Sequence, residues 1–418
     1  MSFGASAPHV TSNPATHRCV GSPDPDPPQA LATLTTPVSD RHRLSLGPIA
    51  TPDRLLLGPG PSNAHPTVLQ ALARTPIGHL DPLYVELMGE VQELLRYVWQ
   101  TDNRLTIPMS GTGSAAMEAT LANTIVPGDK VLVAQKGYFG LRQADMASRY
   151  GAKVVTIDCP WGEAFSLDQI EHALATHRPA ILAMVHAETS TGVCQPMDGI
   201  GDLCRQYDCL LLLDTVTSLG AVPLYLDEWK VDLAYSCSQK GLSCPPGLGP
   251  FTMGPRAEAK MMGRQDKVPN WYLDVTLLNQ YWGSDRVYHH TAPVNMTYGL
   301  REALRLLAEE GLEARWQRHQ SNAAKLWAGL DELGLECMVP VEFRLPTLTS
   351  VKVPDGIDAK AFQLHLLREH NIEIGVGLGV LAGKIWRIGI MGANSYAEKV
   401  DRLLAVLAES LAKGVGRK

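Results

Sequence analysis

A carboxylate and an amine mark the chemistry available to this chain of 418 residues. Asp214 closes the apolar run Leu210 to Leu213. Lys240, in Ser-Cys-Ser-Gln-Lys-Gly, comes just after a second short apolar segment, Val231 to Tyr235. Short apolar runs of this kind read as buried strands, so both groups fall immediately past a strand's carboxyl end. In open α/β sheets that edge is where ligands bind. An amine and a carboxylate held there suit pyridoxal phosphate, whose aldehyde condenses with a lysine and whose pyridinium nitrogen pairs with an aspartate. Each residue alone is a weak signal, because a lone Asp after a strand is most often a helix cap and a lone Lys a solvated charge. The surroundings of Lys240 add weight. Ser236, Ser238 and Gln239 precede it and a Gly-Pro-rich stretch follows, which makes an irregular, shaped segment rather than a helix.

A phosphate requires donors. Ser110-Gly111-Thr112-Gly113-Ser114 follows the strand-like Arg104 to Met109 and opens a helical run from Ala115 to about Asn123. A Gly-rich turn that opens a helix offers unpaired backbone N–H groups and a positive dipole end. Gly111-x-Gly113-x-x-Ala116 also matches a dinucleotide fingerprint, which calls for an acidic residue at the end of the next strand. That strand, Lys130 to Ala134, runs into Gln135 and Lys136 instead, so a monophosphate cradle fits better. Arg387 lies between Trp386 and Ile388 on a strand, and a guanidinium flanked by apolar residues needs an anionic partner. His186 reads as a structural hydrogen-bonder. His289 and His290, adjacent in an apparent strand, should point apart and lack carboxylate companions, so no metal site is expected.

The elements that must position these groups alternate. A helix is expected over Val85 to Trp99, with Leu87, Val91, Leu94, Leu95 and Val98 on one face. Beyond the glycine turn come a helix over Leu141 to Tyr150, a strand over Lys153 to Ile157, and a capping box at Ser166 and Gln169 opening a helix to His177. A buried strand over Ala180 to Val185 follows. Strand–helix alternation of this length implies an α/β fold with a mostly parallel sheet covered on both faces. From about Tyr298 the pattern changes to long helices (298–312, 316–333), short strands and a final helix from about Tyr396 to Ala412, a compact α+β second domain. The expected division is a flexible arm over 1–47, rich in Pro and Ser, a large domain over 48–297 and a small one over 298–418.

Composition sets the outer limits. Hydrophobic content of 45% is that of a globular protein. A net charge of −6 without a long basic run argues against nucleic acid as a partner. Apolar runs stay far below the roughly 20 residues of a membrane span. The eight cysteines, at 19, 159, 194, 204, 209, 237, 244 and 337, are scattered, which suits free thiols in a reducing compartment. The arm lacks a secretory signal's apolar core, and the last residues, Val-Gly-Arg-Lys, are not a Ser-Lys-Leu address. A cytoplasmic location is the expectation.

Taken in order, six stretches resemble one family: Leu-Leu-Leu-Gly-Pro-Gly-Pro-Ser-Asn (55–63), Ser-Gly-Thr-Gly-Ser (110–114), Glu-Thr-Ser-Thr-Gly (188–192), Ser-Gln-Lys (238–240), Tyr-His-His-Thr (288–291) and Arg-Ile-Gly (387–389). From about residue 54 onward the chain is similar to the class V aminotransferases of fold type I, and among them to the alanine–glyoxylate and serine–glyoxylate (serine–pyruvate) aminotransferases. The resemblance implies a seven-stranded sheet in a large domain that binds pyridoxal phosphate. It gives Lys240 and Asp214 the catalytic roles. Phosphate and ring contacts then fall to Thr112, Gly113, Ser114, Val216 and Gln239, and Thr189 resembles the hydroxyl that bonds the cofactor's phenolic oxygen. Phe139 occupies the place of the stacking aromatic, where Trp is common, so weaker stacking is implied. Arg387 takes the substrate carboxylate and Gly60 contributes backbone near the substrate. Tyr288 and Thr291 reach across a homodimer interface to the partner's cofactor phosphate.

Two rivals fit less well. A cysteine desulfurase places a histidine before the lysine and a mobile cysteine in the second domain, whereas this chain has Gln239 there, and Cys337 lies between a helix and a strand. A non-catalytic binding homologue is disfavoured by the joint presence of Lys240, Asp214 and Arg387. Whether alanine or serine is the donor, and glyoxylate or pyruvate the acceptor, stays open at this level.

Overall fold

The computed structural model describes residues 39–417. Most of the arm expected over 1–47 lies outside these residues, as does Cys19, and 39–51 are exposed. Residues from Pro52 onward form a compact unit of their own.

Seven strands make the central sheet: β1 (Leu105–Ser110), β2 (Lys130–Gln135), β3 (Lys153–Asp158), β4 (Ile181–Val185), β5 (Leu210–Asp214), β6 (Leu233–Tyr235) and β7 (Leu248–Met253). Their order is β1-β7-β6-β5-β4-β2-β3. Only β7 runs against its neighbours. The inner strands are apolar on both faces because helices cover both. Leu211 and Leu213 face one core with Leu182 and Met184. Leu210 and Leu212 face the other with Ile181 and Ala183. A fully buried leucine of this kind contributes about 2 kcal/mol.

β7 is the strand that pattern reading does not mark. Its Leu-Gly-Pro-Phe-Thr-Met carries a glycine and a proline, which ordinarily demote a strand. Pro250 lies opposite Pro108 of the edge strand. On its other side its carbonyl accepts the Ser236 N–H at 2.8 Å, so the sheet tolerates the missing donor.

Several helices carry the signals their sequences advertise. Pro82–Trp99 starts at Asp81, whose side chain accepts the Leu83 N–H, with proline in the first turn. Its buried stripe, Tyr84, Met88, Val91, Leu95 and Val98, keeps the three- and four-residue spacing of one helix face. The Ser166–Gln169 capping box is present in both directions. Two helices begin earlier than expected, at Gly113 and at Tyr138, so Thr112 is a cap residue and Phe139 lies in a helix's first turn.

The C-terminal part follows its expected order, with helices Val294–Glu310, Leu312–Glu332, Ala359–Glu369 and Ala397–Ala412. Strand Ile385–Gly389 pairs antiparallel with Leu348–Lys352 and Gly375–Val376. The core here joins Leu326, Phe362, Trp386, Ile388 and Leu403 with Leu55 and Leu57 from the start of the compact unit. Leu55–Leu56 pairs in parallel with Ile372–Glu373. No helix among the described residues is long and apolar enough to cross a membrane.

Candidate active site

β5 delivers Asp214 to the carboxyl edge of the sheet, in register with Val185 on one side and Tyr235 on the other. The carboxylate is almost wholly buried. Its Oδ2 accepts the Tyr235 hydroxyl at 2.7 Å and its Oδ1 the Val216 N–H at 2.8 Å. Gln143 Nε2 in turn donates to the Tyr235 oxygen at 3.0 Å. Burial pushes the Asp214 carboxyl up to about 6, against the lowering effect of these two donors. It is therefore anionic at neutral pH and oriented by groups that cannot swing away.

Lys240 sits on the loop between β6 and β7. Its Nζ donates to Thr189 Oγ1 at 2.7 Å and to Thr217 Oγ1 at 3.0 Å, and the two hydroxyls touch each other. Burial lowers the amine below its ordinary value, which favours the neutral, nucleophilic form. Phe139 lies under it, 5.6 Å from ring centroid to nitrogen. The segment is tied down at several points. Ser62 donates its N–H to the Gln239 carbonyl at 2.8 Å and its hydroxyl to that of Lys240 at 2.9 Å. Arg315 donates to the carbonyls of Gly220 and Gly241 at 2.6 and 2.7 Å. Gly60, at φ +113°, passes so close that a Cβ would stand 3.1 Å from Lys240 Cγ.

Beside the amine lies a cavity of about 270 Å³. Thr112, Gly113, Ser114 and Met117 line it from the glycine turn, Asp214 and Val216 from the end of β5, and Cys237, Gln239 and Lys240 from the lysine loop. Phe139 and Arg142 complete the wall. No side chain caps the helix that starts at Gly113, so its first amides are available. A Cβ on Gly113 would strike Cys237 Cβ at 2.8 Å, so the turn is pressed against the lysine loop. Gln239 Oε1 is buried without a partner.

This set fits pyridoxal phosphate on its own chemistry. A buried amine suits the aldehyde, a buried anion suits the ring nitrogen, an aromatic suits a flat ring, and an uncapped helix start suits a phosphate. Arg387 lies apart from that cavity and is linked to it through Thr189, whose hydroxyl accepts from Lys240. It is 5% exposed, and its Nη1 donates to the Thr189 carbonyl at 3.1 Å and its Nε to that of Val376 at 2.9 Å. Burial draws it down to about 10, with Glu188 opposing. Among the described residues no carboxylate pairs with it.

Tyr288 and Thr291 do not line the cavity. Both are exposed, on the loop before helix Val294–Glu310. The two histidines between them correct the expectation of side chains pointing apart. The segment is irregular rather than a strand, and the two Nδ1 atoms lie 2.8 Å from each other, with His290 Nε2 on Ser110 Oγ at 2.6 Å. No group of three or more metal-donor side chains occurs among the described residues. His186 is buried against Trp229 and drawn down to about 3 by burial, which keeps it neutral. Cys237 and Cys244 are buried, and burial raises their thiols to about 11 and about 12.

Sequence reasoning passes over Thr217, Tyr235, Gln143 and two further buried charged residues, Lys136 and Glu188. Lys136 donates to the Val185 carbonyl at 2.5 Å, and burial draws it down to about 8. Glu188 accepts the Ser190 N–H and hydroxyl at 3.0 and 2.6 Å. The rule that singles out Asp214 would have found Lys136, which also follows a strand end directly. Nothing in sequence marks Gln143, which meets Tyr235 only in space.

Residues 58–403 match the family model described as "Aminotransferase class-V". Alanine–glyoxylate aminotransferase of Mus musculus is 44% identical over 87% of this chain and 89% of its own. The crystal structure of alanine–glyoxylate aminotransferase from Nostoc sp. superposes with a TM-score of 0.89 at 62% identity, covering 90% of this chain and all of that one. The (S)-ureidoglycine–glyoxylate transaminase of Bacillus subtilis is 39% identical over 86% of this chain and 91% of its own.

Proposed function

The chain belongs to the class-V aminotransferases, which depend on pyridoxal phosphate, and on that premise we propose that it moves the amino group of alanine, or of serine, to glyoxylate. The products are glycine and pyruvate, or hydroxypyruvate. One observation carries the reading. A buried guanidinium that has no acid partner among the described residues bonds the carbonyl of Thr189, the residue whose hydroxyl holds the Lys240 amine. A carboxylate recognised there belongs to a molecule whose nitrogen is within reach of the amine's place, which describes an α-amino acid. The names of the mouse and Nostoc relatives support alanine with glyoxylate, and that of the Bacillus relative supports glyoxylate as acceptor.

Pyridoxal phosphate, when bound, supplies an aldehyde that condenses with amines and a ring that takes up an electron pair. The protein's residues do the remaining work. Lys240, drawn below its ordinary value by burial and steered by Thr189 and Thr217, presents the amine. When not bound to the cofactor, that amine would take the substrate's Cα proton as base and deliver it as acid to the carbon that was the aldehyde's. Asp214 keeps a proton on the ring nitrogen. Phe139 would cover the ring and Arg387 would grip the substrate carboxylate through two parallel bonds. Thr112, Gly113, Ser114 and Gln239 would hold the phosphate.

The proposal extends to a cytoplasmic homodimer in which Tyr288 and Thr291 complete the partner's phosphate site, and to a large and a small domain, with the expected boundary at 297/298 moved past helix Val294–Glu310, whose Leu300, Leu304 and Leu307 pack in the large core. The exposure of Tyr288 and Thr291 supports the first part. The test is a panel of amino donors assayed against glyoxylate and pyruvate, with full initial-rate analysis. Alanine or serine with glyoxylate should give the highest kcat/KM, with the parallel lines of a ping-pong scheme. A sequential pattern, or indifference to glyoxylate, would count against it.

A further inference from the structure

The residues assigned to the phosphate bring it no positive side chain. Thr112, Gly113, Ser114 and Gln239 are neutral, and the Lys240 amine is committed to the aldehyde. A phosphate monoester carries a charge between about −1.5 and −2 at neutral pH. Helix-start amides offset only part of that.

Arg142 lies where the missing charge is needed. It is half-buried on helix Tyr138–Arg149, and its side chain lines the same cavity. Its Nη1 donates to Ser114 Oγ at 3.5 Å. The guanidinium carbon stands 5.0 Å from the Phe139 ring centroid and 5.5 Å from that of Tyr138. Those rings precede it by three and four positions, the spacing at which helical side chains meet. Among the described residues no carboxylate lies within ion-pair distance of it. A planar cation that rests on two aromatics, reaches a hydroxyl and lacks an acid keeps its remaining donors free for an anion.

We propose that Arg142 anchors the cofactor phosphate, and that its contact with Phe139 couples the phosphate end of the cavity to the aromatic covering the ring. The proposal rests on the cofactor reading above. It is tested on cofactor-free wild type, Arg142→Gln and Arg142→Lys, titrated with pyridoxal phosphate and with pyridoxal, which lacks the phosphate. Protein fluorescence and induced dichroism report binding. Arg142→Gln should weaken pyridoxal phosphate roughly 10- to 100-fold, the range for a charge-assisted bond, and leave pyridoxal within about twofold. Arg142→Lys, which keeps the charge, should recover part of the loss. Affinity of the wild type should also fall more steeply with salt than that of Arg142→Gln. Equal weakening of both ligands would reduce Arg142 to a support for Phe139 and overturn the assignment. Unchanged affinity for pyridoxal phosphate would overturn it as well. If the wild type binds neither ligand, the functional reading itself falls, and this assignment with it.

Discussion

Replacing Arg387 by glutamine isolates what the buried guanidinium does. The side chain is 5% exposed and lacks an acid partner among the described residues, and burial holds it at about 10. At about 1.4 kcal/mol for each tenfold change, that depression corresponds to roughly 3 kcal/mol of unfavourable burial. An incoming carboxylate offsets this cost, so most of the benefit is realised only when substrate is bound. Arg387→Gln should therefore lower kcat/KM for alanine by roughly 100-fold. Arg387→Lys should fall between, since a lysine keeps the charge but not the planar fork. The assay is a single-turnover half-reaction followed by the cofactor's absorbance, run with alanine and with ethylamine, which lacks the carboxylate. Ethylamine should react at nearly the same slow rate with wild type and Arg387→Gln. If both amines slow alike, the bonds to the Thr189 and Val376 carbonyls are what matter, and the carboxylate argument fails.

Lys240→Ala should lose about 10⁴-fold in turnover from proton transfer alone, together with the absorbance band of the lysine-bound cofactor; a fully active variant would contradict the mechanism. Asp214 is anionic above about 6, so cofactor uptake should weaken as pH falls through that value, a trend absent in Asp214→Asn. The folded-state carboxyl lies above its ordinary value, so its ionisation costs the cofactor-free protein stability as pH rises from about 4 to about 6. Cofactor-free Asp214→Asn should then melt higher than wild type at pH 7 while turning over at least 100-fold more slowly, and a lower melting temperature would refute the sign. Gly60→Ala adds a Cβ 3.1 Å from Lys240 Cγ at a φ of +113°. It should slow turnover about tenfold with little change in cofactor affinity, and wild-type rates would show that the lysine has room to spare.

Much of the site could be read from spacing because it is built at strand ends. Asp214, Lys240 and the Thr112–Ser114 turn each follow an apolar run or a glycine signal, and the structure gathers them around one cavity. What spacing does not mark depends on neighbours far apart in sequence. By its pattern Tyr235 is simply the last residue of a buried strand, which it is. It becomes a partner of Asp214 only because β6 pairs with β5 in that register. Gln143 follows from Tyr235 and carries no mark of its own. β7 stayed hidden because Gly249 and Pro250 lower strand preference locally, while pairing on both sides outweighs that preference. The expectation that His289 and His290 diverge assumed a strand, and the loop instead turns their rings together. Tyr288 and Thr291 are on the surface of the single chain, where their residue types alone would not distinguish them.

The reversed direction of β7 has a mechanical consequence. A parallel crossover would leave the lysine loop with one end at each edge of the sheet. Here the chain leaves β6 and re-enters β7 at the same edge, with Ser236 fastened to Pro250 and Ser238 to Leu248. The backbone beneath the amine is thus a short span bolted at both feet to the middle of the sheet, and any travel the amine makes must come from its own four methylenes. A rigid mount with a flexible arm lets one nitrogen serve two stations in turn without disturbing the frame.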